Sequence, residues 1–340
     1  MIKVYLDWNV MSQLKNKNIE PGLSLFVKLK ECENKLELPY SPAHISDLIK
    51  GWDDTVEKDT YTRNDLKHIS EITKNLFYVL YFKATGVINE YKDPEHYFDS
   101  VKDEEKKSIP KMLDFETMFK EAEFDEESLK NINAEMDKVM AGMRASMSTV
   151  DLSSLSGTSE LKQFLSLVPT EGQTFTEYMK EAGGYFEGIM KDPDIYRGLR
   201  NTVQSGLGLD PKVISNWQNP YKQLDEHLPN TLLGKSLTQF ISENNKTKTT
   251  ENVLYENFCM VYPTFDMFGF RPEDLSSKNT YENMSNDCQH AFYAAHCKFF
   301  LTNDKKTIAK TIATYKHFGI LTEVCTPDEF IKRIDLSKGV

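Results

Sequence analysis

Apolar positions fall into two kinds of pattern along this chain, strand-like at both ends and helical between. Ile2-Lys3-Val4-Tyr5-Leu6 reads as a buried strand, and Asn9 to Leu14 begins the next helix. Leu23 to Cys32 is amphipathic, with Leu25, Phe26 and Leu29 on one face. Leu36-Glu37-Leu38-Pro39-Tyr40 is a short strand candidate. Ser41-Pro42 then opens a helix, serine as N-cap and proline at the first helical position. That helix runs Ala43 to Lys50 and stops at Gly51, in the manner of a C-cap glycine.

The far end repeats this alternation. Ser285 or Asn286 caps a helix to about Cys297, whose Ala291, Ala294 and Ala295 make a face small enough to pack closely on a sheet. Phe299 to Thr302 is a strand, Lys305 to Phe318 a helix, Gly319 to Val324 the last strand and Pro327 to Ile334 a closing helix. Strands separated by helices predict parallel pairing through right-handed crossovers. The expected fold class is therefore α/β, a three-layer αβα domain with a mostly parallel sheet, assembled from residues 1–52 and 281–340.

Residues 53–280 read differently, as a large all-helical insertion, parts of which would complete the helical layer of the end domain. Leu66 to Phe82 is a strong amphipathic helix, and Val253 to Phe268 is another candidate for that layer. Ile132, Met136, Met140, Met143 and Met147 recur at three- and four-residue spacing, a stripe that reads as packing. Residues 146–159 and 243–251 are polar breaks.

Four aspartates give this pattern a chemistry: Asp7, Asp47, Asp287 and Asp304. Asp7 and Asp304 each end an apolar strand, where open α/β sheets build their sites. Asp47 and Asp287 lie on the adjacent helices. Four carboxylates so placed suggest a pocket for a hard divalent cation and metal-dependent phosphodiester chemistry. Each acid also has a plainer use: Asp7 and Asp304 as helix caps, Asp287 as a first-turn acid and Asp47 as an exposed helical one.

Composition sharpens this only in places. The 340 residues carry a net charge of −11, which disfavours general electrostatic binding of nucleic acid, although a metal reverses the field of its own acid cluster. No apolar run approaches the ~18 residues of a membrane span. Five scattered cysteines argue against a disulfide framework, and the chain opens on a strand rather than a leader, so a cytoplasmic protein is expected.

The same residues resemble the PIN-domain nucleases, of the PIN-like group. The match lies in Val4-Tyr5-Leu6-Asp7-Trp8-Asn9, in Tyr40 to Leu48, in Asn286-Asp287-Cys288-Gln289-His290-Ala291 followed by Phe300-Leu301-Thr302-Asn303-Asp304, and in the run from Ile320 to Phe330. It covers roughly residues 1–52 and 281–335. The resemblance implies a Mg2+- or Mn2+-dependent nuclease acting most often on RNA, with single-stranded DNA as the other substrate. It implies Asp7 and Asp304 as inner ligands, Asp287 as a further ligand and Asp47 serving a second ion or a coordinated water. Two positions depart from the family pattern. Asp47 stands where glutamate is usual, and Lys298 stands near where relatives carry another acid, a lysine able to contact phosphate but not metal.

His290 follows Asp287 by three residues and shares its helix face, placed to orient an acid or touch a phosphate. Asn9, Lys305 and Lys306, with Lys298, are the candidate substrate contacts at the rim. Cys288, His290, His296 and Cys297 do not make a zinc set, because one tetrahedral ion cannot collect four residues pointing in several directions from one helix. The expected function is a metal-dependent endoribonuclease, as a toxin or antiviral-defence effector. The insertion would serve a regulatory protein or a homo-oligomer. The rivals are a structure-specific DNA nuclease and a catalytically silent scaffold on the same fold.

Overall fold

The computed structural model describes residues 1–16, 20, 22–81, 84, 86–107, 125–148, 169–231, 233–246 and 253–336. The chain opens with β1 (Ile2–Leu6), α1 (Trp8–Gln13), α2 (Gly22–Glu31), β2 (Leu36–Glu37), α3 (Pro42–Gly51) and α4 (Val56–Thr73). A hairpin of β3 (Leu76–Val79) and β4 (Ile88–Tyr91) leads to α5 (Pro94–Glu105). Three helices follow, α6 (Glu126–Ser148), α7 (Phe175–Lys191) and α8 (Pro193–Gly206). Then come α9 (Pro211–Ile214), α10 (Pro220–His227), α11 (Leu237–Lys246), α12 (Val253–Phe268) and α13 (Tyr281–Ala294). The closing run is β5 (Phe299–Leu301), α14 (Lys305–Phe318), β6 (Glu323–Cys325) and α15 (Pro327–Leu336).

The fold is mixed α/β, built on a four-stranded sheet of order β2-β1-β5-β6. Every pair in that sheet is parallel, β1 matching Leu6 to Leu301 and β5 matching Leu301 to Cys325. This is the pairing expected from strands separated by helices. Its consequence is directional: the residues after β1 and after β5 emerge together on the carboxyl edge. The central strands are fully covered, with Val4, Tyr5, Leu6, Phe300 and Leu301 all buried. Leu25, Ile45, Leu66, Phe77 and Phe98 bring four helices and the hairpin into the same core.

The chain divides into two compact units. One comprises Met1–Lys106, Asp210–Glu273 and Asn283–Val340; the other comprises Lys107–Leu209 and Asp274–Glu282. The sheet unit thus draws in α4, α5 and the segment from α9 to α12, well beyond residues 1–52 and 281–340. In the second unit α7 packs against both α6 and α8. A capping box starts α7, Glu177 N donating to Thr174 Oγ1 and Thr174 N to Glu177 Oε2. Met140 of the methionine stripe is buried, while the side chain of Met147 and residues 149–159 lie outside the described residues. Of the second polar break, residues 243–246 lie in α11 and 247–251 lie outside the described residues.

Several expected elements shift. The helix read as Leu66 to Phe82 ends at Thr73, and Leu76-Phe77-Tyr78-Val79 is instead a strand buried throughout. The chain turns at Lys74 and Asn75, which hold φ values of 53° and 64°. A continuous apolar run fits a buried helix and a buried strand alike, so its period could not tell them apart. Tyr40 bonds this strand through its own backbone, its N–H donating to Leu76 O and its carbonyl accepting from Tyr78 N. The insertion is therefore not wholly helical. The helix expected from Ser285 begins at Tyr281, and the last strand is only Glu323–Cys325 because Gly319 (φ 67°) closes α14 as a left-handed cap. Gly51 ends α3 from within, with extended Trp52 as the cap.

Candidate functional site

Three elements deliver one cluster. Asp7 directly follows β1, α3 carries Asp47 and α13 carries His290. One ligand atom from each of these three lies within 4.8 Å of the others. Asp7 is 4% exposed and His290 1%, so the cluster sits beneath the carboxyl edge of the sheet rather than on the surface.

Each member is held from behind. Thr302, the residue after β5, donates its hydroxyl to Asp7 Oδ2 at 2.7 Å. Asp7 precedes α1 as its N-cap residue, yet its side chain makes no capping bond, which leaves the carboxylate to the cluster. Asn286 Nδ2 donates to Asp47 Oδ1 at 2.6 Å and to Ala43 O at 3.0 Å. His290 Nε2 lies 2.9 Å from Asp47 Oδ2 and 3.9 Å from Asp7 Oδ1. The other ring nitrogen, Nδ1, is 2.9 Å from the Tyr5 hydroxyl, which is itself 2.6 Å from Ser41 Oγ. His44 stands edge-on to His290 in the same layer. Its Nε2–H donates to Leu6 O at 2.8 Å, and its Nδ1 accepts from Ser41 N at 3.1 Å.

These contacts sort the charges. Burial drives His44 down to about 3, and with Nδ1 accepting and Nε2 donating it is a neutral strut between β1 and α3. Burial pushes the same way on His290, but the Asp47 hydrogen bond and the charges of Asp47, Asp7 and Asp287 outweigh it and raise its pKa. Asp7 is raised, by burial first, against the pull of His290 and Thr302. Asp47 is lowered although burial opposes, because His290 bonds it directly.

Asp287 adjoins the cluster. Thr307 Oγ1 donates to its Oδ2 at 3.2 Å. Its carboxyl is raised well above the usual range by burial and by Asp7, against the pull of Lys310. Lys310 is wholly buried one turn further along α14, paired with Glu273 at 2.6 Å and 3.7 Å from Asp266. Asp287 is mid-helix, so the first-turn use is excluded.

Asp304 is not in the three-residue cluster. It is the N-cap of α14, its Oδ1 accepting from Lys306 N at 2.7 Å and Thr307 N at 2.9 Å. It reaches Asp7 only through Thr302, whose Oγ1 accepts from Asp304 N at 3.2 Å. Lys305 and Lys306 follow in the first turn of α14, on the same edge as Asp7, and Asn9 is exposed on α1. Lys298 is elsewhere. It precedes β5, at the amino edge of a parallel sheet, and pairs with Glu323 at 2.8 Å. One strand length separates it from the carboxyl edge, so it does not serve this site.

Tyr5, Ser41, His44, Asn286, Thr302 and Thr307 belong to the site's supporting shell and were absent from the expected set. Two of them carried signals. A tyrosine inside a buried strand needs a partner for its hydroxyl, and Asn286 precedes His290 by one helical turn. The contacts of Tyr5 with His290 and of Thr302 with Asp7 span 285 and 295 residues of sequence, where no local pattern reaches.

No family model, no curated protein and no solved structure matches this chain.

Proposed function

We propose that this chain is a metal-dependent endoribonuclease. The observation that carries this reading is the buried meeting of Asp7, Asp47 and His290 at the carboxyl edge of a parallel sheet. Asp7 Oδ1, Asp47 Oδ2 and His290 Nε2 would hold the cation, with Asp287 beside it. The donor set fits a divalent ion, and two carboxylates with an imidazole suit Mn2+ better than Mg2+, which favours oxygen ligands and retained waters. Bound there, the ion supplies an activated water and neutralises charge developing on a phosphate.

The chain's own residues then do the positioning. Tyr5 occupies the Nδ1 side of the His290 ring and turns Nε2 toward the carboxylates, the arrangement by which outer contacts fix ligand orientation. Thr302 and Asn286 each tie down one oxygen of an aspartate and leave the other to the cluster. Lys305 and Lys306 would meet the backbone of the nucleic acid at the rim.

The test is cleavage of total RNA and of single-stranded DNA by wild type and Asp7→Asn protein in Mn2+, Mg2+ or EDTA. RNA cutting that needs metal and vanishes in the variant supports the reading. Cutting of DNA alone replaces RNA as substrate, and no cutting in any lane overturns the enzyme. One observation favours a silent scaffold in that case: Asp304 is engaged as a cap and the Asp47–His290 pair closes the cluster on itself.

A further inference from the structure

Within the sheet unit, α12 and α13 pack antiparallel, and the contact between them continues from aromatic rings into sulfur. Tyr255 and Phe258 of α12 meet Phe292 of α13 edge-on, with ring centroids 4.8 Å and 5.7 Å apart. One helical turn from Tyr255 stands Cys259, and one turn back from Phe292 stands Cys288. The two thiols are in hydrogen-bond contact, Cys288 S–H donating to Cys259 Sγ. The Tyr255 hydroxyl donates to the same sulfur. The Asp7 cluster uses neither cysteine.

The two differ in access. Cys288 is 3% exposed, whereas Cys259 is half-buried and is the one cysteine of the five that is not buried. They differ in chemistry as well. The thiolate is the reactive form of cysteine, and donors aimed at its sulfur favour it. The bond from Cys288, helped by that from Tyr255, lowers the Cys259 pKa against burial and the charge of Glu256. A reachable thiolate with a second thiol already in contact is the arrangement of a peroxide-reactive cysteine and its resolving partner.

We propose that Cys259 is oxidised by small hydroperoxides and that Cys288 resolves the product into a reversible disulfide between α12 and α13. The Cys259 sulfur attacks one peroxide oxygen and the O–O bond breaks. The other oxygen leaves as hydroxide or alkoxide and takes up the proton that Cys259 gave, so the peroxide is reduced by one electron pair and Cys259 becomes a sulfenic acid. The Cys288 sulfur then attacks the Cys259 sulfur. The S–S bond forms, the S–O bond breaks, and the leaving hydroxide takes the Cys288 proton as water. The net change is two thiols and a hydroperoxide to a disulfide, an alcohol (water from hydrogen peroxide) and water. This chemistry does not depend on the nuclease reading.

The test treats the reduced full chain with hydrogen peroxide, blocks the remaining thiols with N-ethylmaleimide after denaturation, and maps the peptides by mass. A Cys259–Cys288 cross-linked peptide is expected, formed at least about tenfold faster than any oxidation of the buried Cys32, Cys297 and Cys325. Dithiothreitol should return all five thiols. Cys288→Ser should stop at a Cys259 sulfenic acid that dimedone traps, and Cys259→Ser should form no disulfide. All five thiols free after peroxide, a cross-link between other cysteines, or Cys259 oxidised without a link to Cys288 each overturns the proposal. The wild-type peptide map decides the matter even where a variant does not fold.

Discussion

Asp7 and Asp304 occupy equivalent places: each follows a central parallel strand and precedes a helix. They use their carboxylates in opposite ways. Asp304 spends Oδ1 on two backbone N–H groups of α14. Asp7 makes no such bond, is held by Thr302, and turns to His290 in a buried space. The difference follows from what each carboxylate meets. Past β5 the open amides of a new helix take up the carboxylate, whereas past β1 a threonine hydroxyl reaches it at 2.7 Å and an imidazole stands 3.9 Å away. A strand-end acid is thus a candidate by position, and becomes a metal ligand only if the helix beside it leaves the carboxylate uncommitted.

Substitution should separate the two most sharply in activity. Asp7→Asn is expected to lower Mn2+-dependent RNA cleavage by more than about 100-fold, as loss of a ligand should exceed loss of an outer contact. Asp304→Asn should stay within about threefold of wild type, since asparagine caps as well as aspartate. Equal loss in both, measured as initial rates, would restore Asp304 to the inner set.

Metal-linked stability gives the next contrast. Wild type and Asp304→Asn should gain about 2.7 kcal/mol with Mn2+ at one hundred times its Kd, read from urea midpoints. Asp7→Asn and His290→Ala should gain almost nothing. Metal-free, Asp7→Asn should be no less stable than wild type at neutral pH, because burial disfavours the ionised carboxylate it replaces.

The proton on His290 supplies a gentler test. Its pKa is raised, so the ring keeps its proton to higher pH than a free histidine, and a cation must displace that proton from Nε2. Mn2+ affinity should therefore climb by about tenfold per pH unit below the His290 pKa and level off above it. In metal-free protein the sign reverses: the His290–Asp47 pair stabilises fully below the ordinary histidine pKa, and that contribution fades as pH rises through the raised one. A pH-independent Mn2+ affinity would remove His290 from the ligand set.

The smallest effect concerns capping alone. Asp304→Ala should cost about 1 kcal/mol and Asp304→Asn a few tenths at most, by urea denaturation without metal.

The parallel sheet, the strand-to-acid junctions and the approach of Asp7, Asp47 and His290 all follow from features legible in sequence: buried strands separated by helices, and acids at fixed offsets from them. Asp304 reads both ways in sequence because N-cap and ligand share one signature, an acid between strand and helix, and only the structure shows the cap engaged. Lys298 stood at the rim only through the family resemblance, and the direction of β5 puts it at the opposite, amino edge of the sheet beside Glu323. Leu76–Val79 was hidden because an apolar tetrapeptide has no period of its own. The supporting shell was the least legible part. Tyr5, Ser41, His44 and Thr302 are ordinary residues in local context, and only the pairing of distant segments gives them partners.

That pairing also sets an order of assembly. β1 can meet β2 after 36 residues of chain exist, but its other neighbour begins at Phe299. Contacts of such sequence separation are slow to form because a long loop must close first. During synthesis Asp7 and Asp47 therefore exist for most of the chain's emergence without His290, Asn286 or Thr302. A chain interrupted before α13 holds both acids of the cluster but neither its histidine nor the residues that orient them. The site is completed among the last events of folding, so truncated products are built without it.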